Sequence, residues 1–234
     1  MCNQLRVALF KLRHFILFLL AVICMMGFGA FYGYVRLAGL AYGSSMYDAF
    51  VATNSDTSFM FLSALVSAWF IGSDFSNRTI HHEITIGYSR WSVLLARELP
   101  VLLAAIVLHF SYVVCAMFGV GIKNGFSIEL FEIRDLYWCI TIVLQLIALQ
   151  SIIVLITFIC AKASVAIATS VCFTFVMCNI LRNFLNGEIF IRSCFFLAKD
   201  NLSETLIPTS IMAVLIFVAS VIFTYVIFTK REIT

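Results

Sequence analysis

No charged side chain occurs in the run 15–35, which as a helix extends about 31 Å at 1.5 Å per residue, near the thickness of a bilayer's hydrocarbon core. Further apolar runs lie near 55–73, 99–121, 137–160, 163–181 and 207–229. Backbone amides in hydrocarbon find no water, so each run must satisfy its own hydrogen bonds, and a helix does this within one segment. A transmembrane barrel would alternate apolar and polar residues instead. The chain is therefore expected to be an all-α membrane protein with six transmembrane helices. Without an internal repeat or a low-complexity linker, it reads as a single domain, 1–234.

Arg6, Lys11 and Arg13 ahead of the first apolar run also describe a secretory leader. The run at 15–35 is longer than a leader's apolar region of about 7–15 residues, so a retained first span is expected. Leu5, Ala8, Leu9 and Leu12 recur at helical spacing, which predicts a short interfacial helix feeding that span.

Composition excludes two classes. Only 12% of residues are charged and 63% are hydrophobic, against about a quarter charged in soluble domains. The 15 basic residues barely exceed the 12 acidic ones and form no block, so no nucleic-acid partner is expected. Basic residues instead choose an orientation. Arg6, Lys11, Arg13, Arg78, Arg90, Arg97, Lys162, Lys230 and Arg231 fall on the side that holds both termini of a six-span chain, which the positive-inside rule makes cytoplasmic. Residues 74–98 then face the cytosol, in a multi-pass protein of the cell membrane. Trp69, Trp91 and Trp138 fall near span ends, where indole rings favour the interface. On the outer side, 182–206 mixes phenylalanines with Glu188, Arg192 and Lys199, and reads as a re-entrant or surface-lying hairpin before the last span. The 8 cysteines show no C-x-x-C spacing and read as free thiols, with a bridge between Cys139 and Cys194 left open.

One polar stretch interrupts this pattern, DFSNRTIHHEITIGYSR at 74–90. Asn77 is expected to cap a short helix, Gly87 to stop it and Ser89 to cap the next. Ile80 and Ile84 share one face, while Thr79, Glu83 and Ile86 lie elsewhere around the helix. So short a helix is unstable without something to dock on. Two readings follow, an amphipathic linker on lipid headgroups and a docking knob for a cytosolic protein.

An acid at the end of the second span, then NRTI, a short helix, and GYSR leading into the third span, resembles the permease subunits of the ABC-2 type ABC transporters. The family pattern is an acid, a Gly-Thr pair, an aliphatic helix and a Ser-Arg pair. Here Asp74 matches the acid, Thr79 the threonine, 80–86 the helix, and Ser89 and Arg90 the closing pair. Arg78 stands where the family commonly has glycine, and Tyr88 where a small or aliphatic residue is usual. The resemblance implies a coupling helix seated in a cytosolic ABC ATPase subunit, with Asp74, Asn77, Arg78, Thr79, Ile80, Glu83, Ile84, Gly87, Ser89 and Arg90 at or beside the contact. It also implies an N-terminal interfacial helix at 1–13, an outer re-entrant hairpin at 182–206, and a second permease copy, identical or related. A compact six-span permease of this kind resembles those exporting bacteriocins, lantibiotics or other amphipathic peptides, with a lipophilic compound as the second cargo class. No G-x-x-x-x-G-K-[ST] phosphate loop occurs in the 234 residues, so ATP and Mg²⁺ are expected in the partner and no cofactor in this chain.

Other chemistries find less. His81, His82 and Glu83 lack the H-E-x-x-H spacing of a zinc peptidase and read as solvated helix surface, so no metal or catalytic residue is assigned. His109 is the one histidine placed at mid-membrane depth, which leaves no facing pair for haem. His109, Gln145, Gln150 and Asn179 are the polar residues placed within spans, as interhelical contacts or as pathway residues. No acid is placed there. The second span begins in the polar TNSDTS at 53–58, so Ser55 and Ser58 are expected to line an interface or an outward vestibule. The readings from other classes are a multi-pass membrane enzyme and a non-catalytic membrane scaffold.

Overall fold

The computed structural model describes residues 2–37, 45–54, 56, 58–126, 132–177 and 202–230, and the regular structure among them is entirely helical. In chain order the helices are α1 (Cys2–Arg13), α2 (Ile16–Phe31), α3 (Met46–Asn54), α4 (Ser58–Ser76), α5 (Thr79–Thr85), α6 (Arg90–Asn124), α7 (Ile133–Cys160), α8 (Ala163–Phe175) and α9 (Leu202–Lys230). A π-helical turn, Tyr32–Leu37, extends α2.

Among the described residues, four stretches are long and apolar enough to cross a membrane: Ile16–Val35, Arg90–Asn124, Asp135–Cys160 and Ile207–Lys230. The segments expected as the second and fifth spans, 55–73 and 163–181, correspond to the shorter apolar helices Met60–Ser76 and Ala163–Phe175. α3 ends at Asn54 and α4 begins at Ser58. Most of the outer hairpin expected at 182–206, together with Asn179 and Cys194, lies outside the described residues; Cys24, Cys115, Cys139, Cys160 and Cys172 are free thiols.

Helices α6 and α7 form the middle of the bundle. Along their length α2 lies mainly on α6 and α9 mainly on α7, while α4 packs on α8, α7 and α6. Small residues let α2 and α6 approach closely. A Cβ on Gly29 would come 2.5 Å from the Tyr112 carbonyl oxygen, and one on Gly33 would come 2.1 Å from that of Ala116. Such backbone proximity is how helices associate where no hydrophobic drive separates protein from lipid.

Two large apolar clusters fill most of the interior, beside a small one of Ala49 and Val120. One gathers Met25, Phe50, Met60, Leu108, Tyr112, Trp138 and Leu146. The other, at the end carrying α1 and α5, gathers Leu12, Phe70, Phe75, Ile80, Leu94, Phe158 and Phe228. Trp138, expected at an interface, is fully buried and meets Phe50 edge-on at 5.3 Å, because Phe50 reaches it from α3, which packs on α6. Trp69 and Trp91 remain about two-fifths exposed, at 43% and 42%.

Candidate functional site

The polar stretch folds as a helix between two turns. After α4 ends at Ser76, Arg78 takes a left-handed backbone, φ 57°, and its carbonyl accepts the first α5 hydrogen bond from the His82 amide at 3.0 Å. The residue at the cap position is thus Arg78 rather than Asn77, and no side chain caps the helix. α5 runs seven residues and ends as its glycine dictates. Gly87 has φ +101°, the Tyr88 amide returns to the Glu83 carbonyl at 3.2 Å, and the Gly87 amide to Ile84 at 3.0 Å. That pair of bonds is a Schellman stop, which needs a left-handed residue where glycine stands. Ser89 then caps α6, its hydroxyl accepting from the Ser92 amide at 3.3 Å.

Charged side chains fasten this short helix to the bundle. Arg97 of α6 grips the Glu83 carboxylate with both terminal nitrogens, at 2.6 and 2.7 Å. Its Nε lies 3.3 Å from an Asp74 oxygen, an ion-pair contact without hydrogen-bond geometry. The other Asp74 oxygen takes Lys11 of α1, whose ammonium also reaches the Ser73 hydroxyl at 3.4 Å and sits 4.6 Å over the Phe70 ring. Lys11, Asp74, Arg97 and Glu83 thus join α1, α4, α5 and α6, and their formal charges sum to zero. Neutral pairing of this kind offsets the large cost of removing Asp74 and Arg97 from water.

Packing decides which side of α5 faces outward. Ile80 is 1% exposed inside the apolar cluster, and Ile84 packs half-buried against it. His82, Thr85, Ile86, Gly87, Tyr88 and Ser89 face out, with Ile86 64% and Tyr88 43% exposed. Glu83, expected on a solvated surface, is turned inward by Arg97, and His81 is half-buried. Thr79 is half-buried, and Arg90 donates to the carbonyls of Phe228 and, at 2.7 Å, Thr229, so that α6 begins against the end of α9. No cluster of three metal-ligating side chains occurs among the described residues.

The remaining polar residues separate from this site. His109 is buried and its Nε2 lies 2.9 Å from Asn54 Oδ1. Gln150 ties α7 to α4, accepting from Ser63 at 2.9 Å and donating to Ser67, an interhelical contact. Gln145 is buried. Ser58 opens α4, and Ser55 lies outside the described residues. Sequence reasoning placed no acid within the spans. Yet Asp56 accepts from Tyr112 at 2.7 Å beside α6, and Glu98, assigned to a loop, is 2% exposed within α6. In sequence Arg97 reads only as a loop charge and Lys11 as part of the interfacial helix; Arg97 stands 14 residues from Glu83 and Lys11 63 from Asp74, and no local pattern pairs either.

No family model matches the chain, and neither a curated protein nor a solved structure matches it. What the fold defines is an all-helical membrane protein with a short, ionically anchored helix at one end of the bundle.

Proposed function

We propose that the chain is the transmembrane permease subunit of an ABC-2 type exporter, moving an amphipathic peptide or a lipophilic compound with ATP hydrolysed by a separate subunit. On this reading six segments cross the cell membrane, both termini are cytoplasmic, two permease copies form the path, and α5 is the coupling helix.

The observation that carries the reading is the construction of α5. A seven-residue helix is not stable alone, yet this one is held from inside by Ile80 and by the Arg97 clasp while Ile86 and Tyr88 stand exposed. A linker resting on headgroups needs no bidentate ion pair. A lever that receives force from a partner needs a rigid joint to the spanning helices. Arg78 adds support, because its left-handed backbone is the conformation glycine favours, at the position where the resembled family commonly carries glycine.

On this reading Ile86 and Tyr88 carry the docking contact, and Ile80 supports α5 from within. The test is affinity purification of the tagged chain from its native host, with ATP hydrolysis assayed in the eluate. Wild type should bring down an ATPase, and a double variant Ile86→Asp, Tyr88→Asp should lose it while remaining folded. An eluate without ATPase from folded wild type overturns the reading and favours a membrane enzyme or a scaffold.

A further inference from the structure

Glu98 follows Arg97 on α6 but takes no part in the charge network. It is 2% exposed, and neither carboxyl oxygen has a hydrogen-bond partner among the described residues. A buried polar group left unmatched costs about 1–3 kcal/mol, and more when charged. Ionisable residues inside spanning helices accordingly mark sites where a partner arrives. No residue of the network supplies that partner, since Lys11 and Arg97 are already matched by Asp74 and Glu83.

Its surroundings indicate where a ligand enters. Glu98 lies seven residues, about 10 Å of helix, beyond Trp91 and on the same face. The Trp91 ring meets Tyr225 of α9 edge-on at 5.2 Å, and Trp91 is 42% exposed. α9 packs mainly along α7 and only lightly on α6, so the α6–α9 seam is the thinner one. An aromatic pair, Trp91 exposed and Tyr225 half-buried, therefore stands at the edge of the seam, with an unmatched carboxyl two turns behind it.

We propose that Glu98 is the seat for the cationic head of an amphipathic ligand, an aliphatic primary ammonium group, admitted past Trp91 and Tyr225 when the seam parts. Aromatic faces attract the cation on entry, and the carboxylate then receives charge-assisted hydrogen bonds. The ammonium belongs either to a cargo molecule or to an amine-bearing lipid. The cargo assignment rests on the exporter reading, but binding itself requires no ATPase, so the two fail separately.

The test uses the full chain purified in an uncharged maltoside micelle. Its thermal unfolding midpoint is followed against dodecylammonium, with dodecanol as the uncharged control. Dodecylammonium should raise the wild-type midpoint saturably by several degrees beyond dodecanol. It should raise that of Glu98→Gln by less than a third as much, while Glu98→Asp keeps the response with weaker half-saturation. If phosphatidylethanolamine alone raises the wild-type midpoint but not that of Glu98→Gln, the amine is a lipid's; if it does not while dodecylammonium does, the amine is a cargo's. Equal responses in wild type and Glu98→Gln, or no response to the amine beyond the alcohol, overturn the proposal.

Discussion

Arg97 and Glu83 stand fourteen residues apart in sequence, on different helices, and meet through two parallel hydrogen bonds of 2.6 and 2.7 Å. The guanidinium is almost fully buried, with 5% of its side chain exposed, whereas Glu83 retains 19%. Removing one partner of a buried pair leaves the other uncompensated, at a cost of about 3–5 kcal/mol. Arg97→Ala should therefore lower the thermal midpoint strongly and free the α5 amides to exchange. Arg97→Lys keeps the charge but not the fork, and should fall between. Hydrogen exchange resolved to α5 reads both, and unchanged protection in Arg97→Ala would refute the clasp.

The two isoleucines at 84 and 86 should behave differently. Ile84 packs on the apolar cluster while Ile86 is 64% exposed. Ile86→Asp is expected to leave the midpoint within about 0.5 kcal/mol of wild type, as exposed substitutions do. Ile80→Ala, in the cluster itself, should cost about 2–5 kcal/mol. Ile84→Asp, which sets a charge against that cluster, should also lose stability; denaturation in a mild micelle measures all three, and a destabilised Ile86→Asp would contradict the orientation of α5.

Arg78 supplies a test in the opposite direction. A non-glycine residue in the left-handed region costs roughly 1–2 kcal/mol locally, part of which glycine gives back through its freer unfolded chain. Arg78→Gly should be neutral to about 1 kcal/mol more stable. Gly87→Ala, at φ +101°, should instead lose stability, although nothing lies within 4 Å of its added carbon.

Close approach of α2 to α6 predicts intolerance at Gly33, where a Cβ would come 2.1 Å from the Ala116 carbonyl oxygen. Backbone cannot retreat as a side-chain tip can. Gly33→Val should separate the two helices, seen as new protease sensitivity in α2. Gly27→Val, whose Cβ position is open, is the matched control.

Sequence alone carried what is local. The stop at Gly87 and the cap at Ser89 follow from single residues with strong backbone preferences, and both stand in the structure. A helix also stands where Leu5, Ala8, Leu9 and Leu12 recur, with Ala8 and Leu12 buried. What escaped depends on distant partners. Trp138 looked like an interfacial ring until Phe50 of α3 covered it. Arg97 looked like a loop charge because α6 begins at Arg90, several residues before its apolar run. Which side of α5 turns outward did not follow from the sequence, because amphipathicity says which residues group together, and not which group faces the bundle. Of the six spans expected, four stand as long apolar stretches among the described residues, and the polar stretch 53–58 falls where α3 ends and α4 begins.

The most direct test of the coupling role is a photo-crosslinking phenylalanine analogue placed at the position of Ile86 in native membranes, with Trp69, 43% exposed on α4, as the control position. Irradiation should join position 86, and not position 69, to a nucleotide-binding ATPase identified by mass spectrometry. Crosslinks from position 86 to lipid alone, in membranes that contain the assembled protein, would contradict the account.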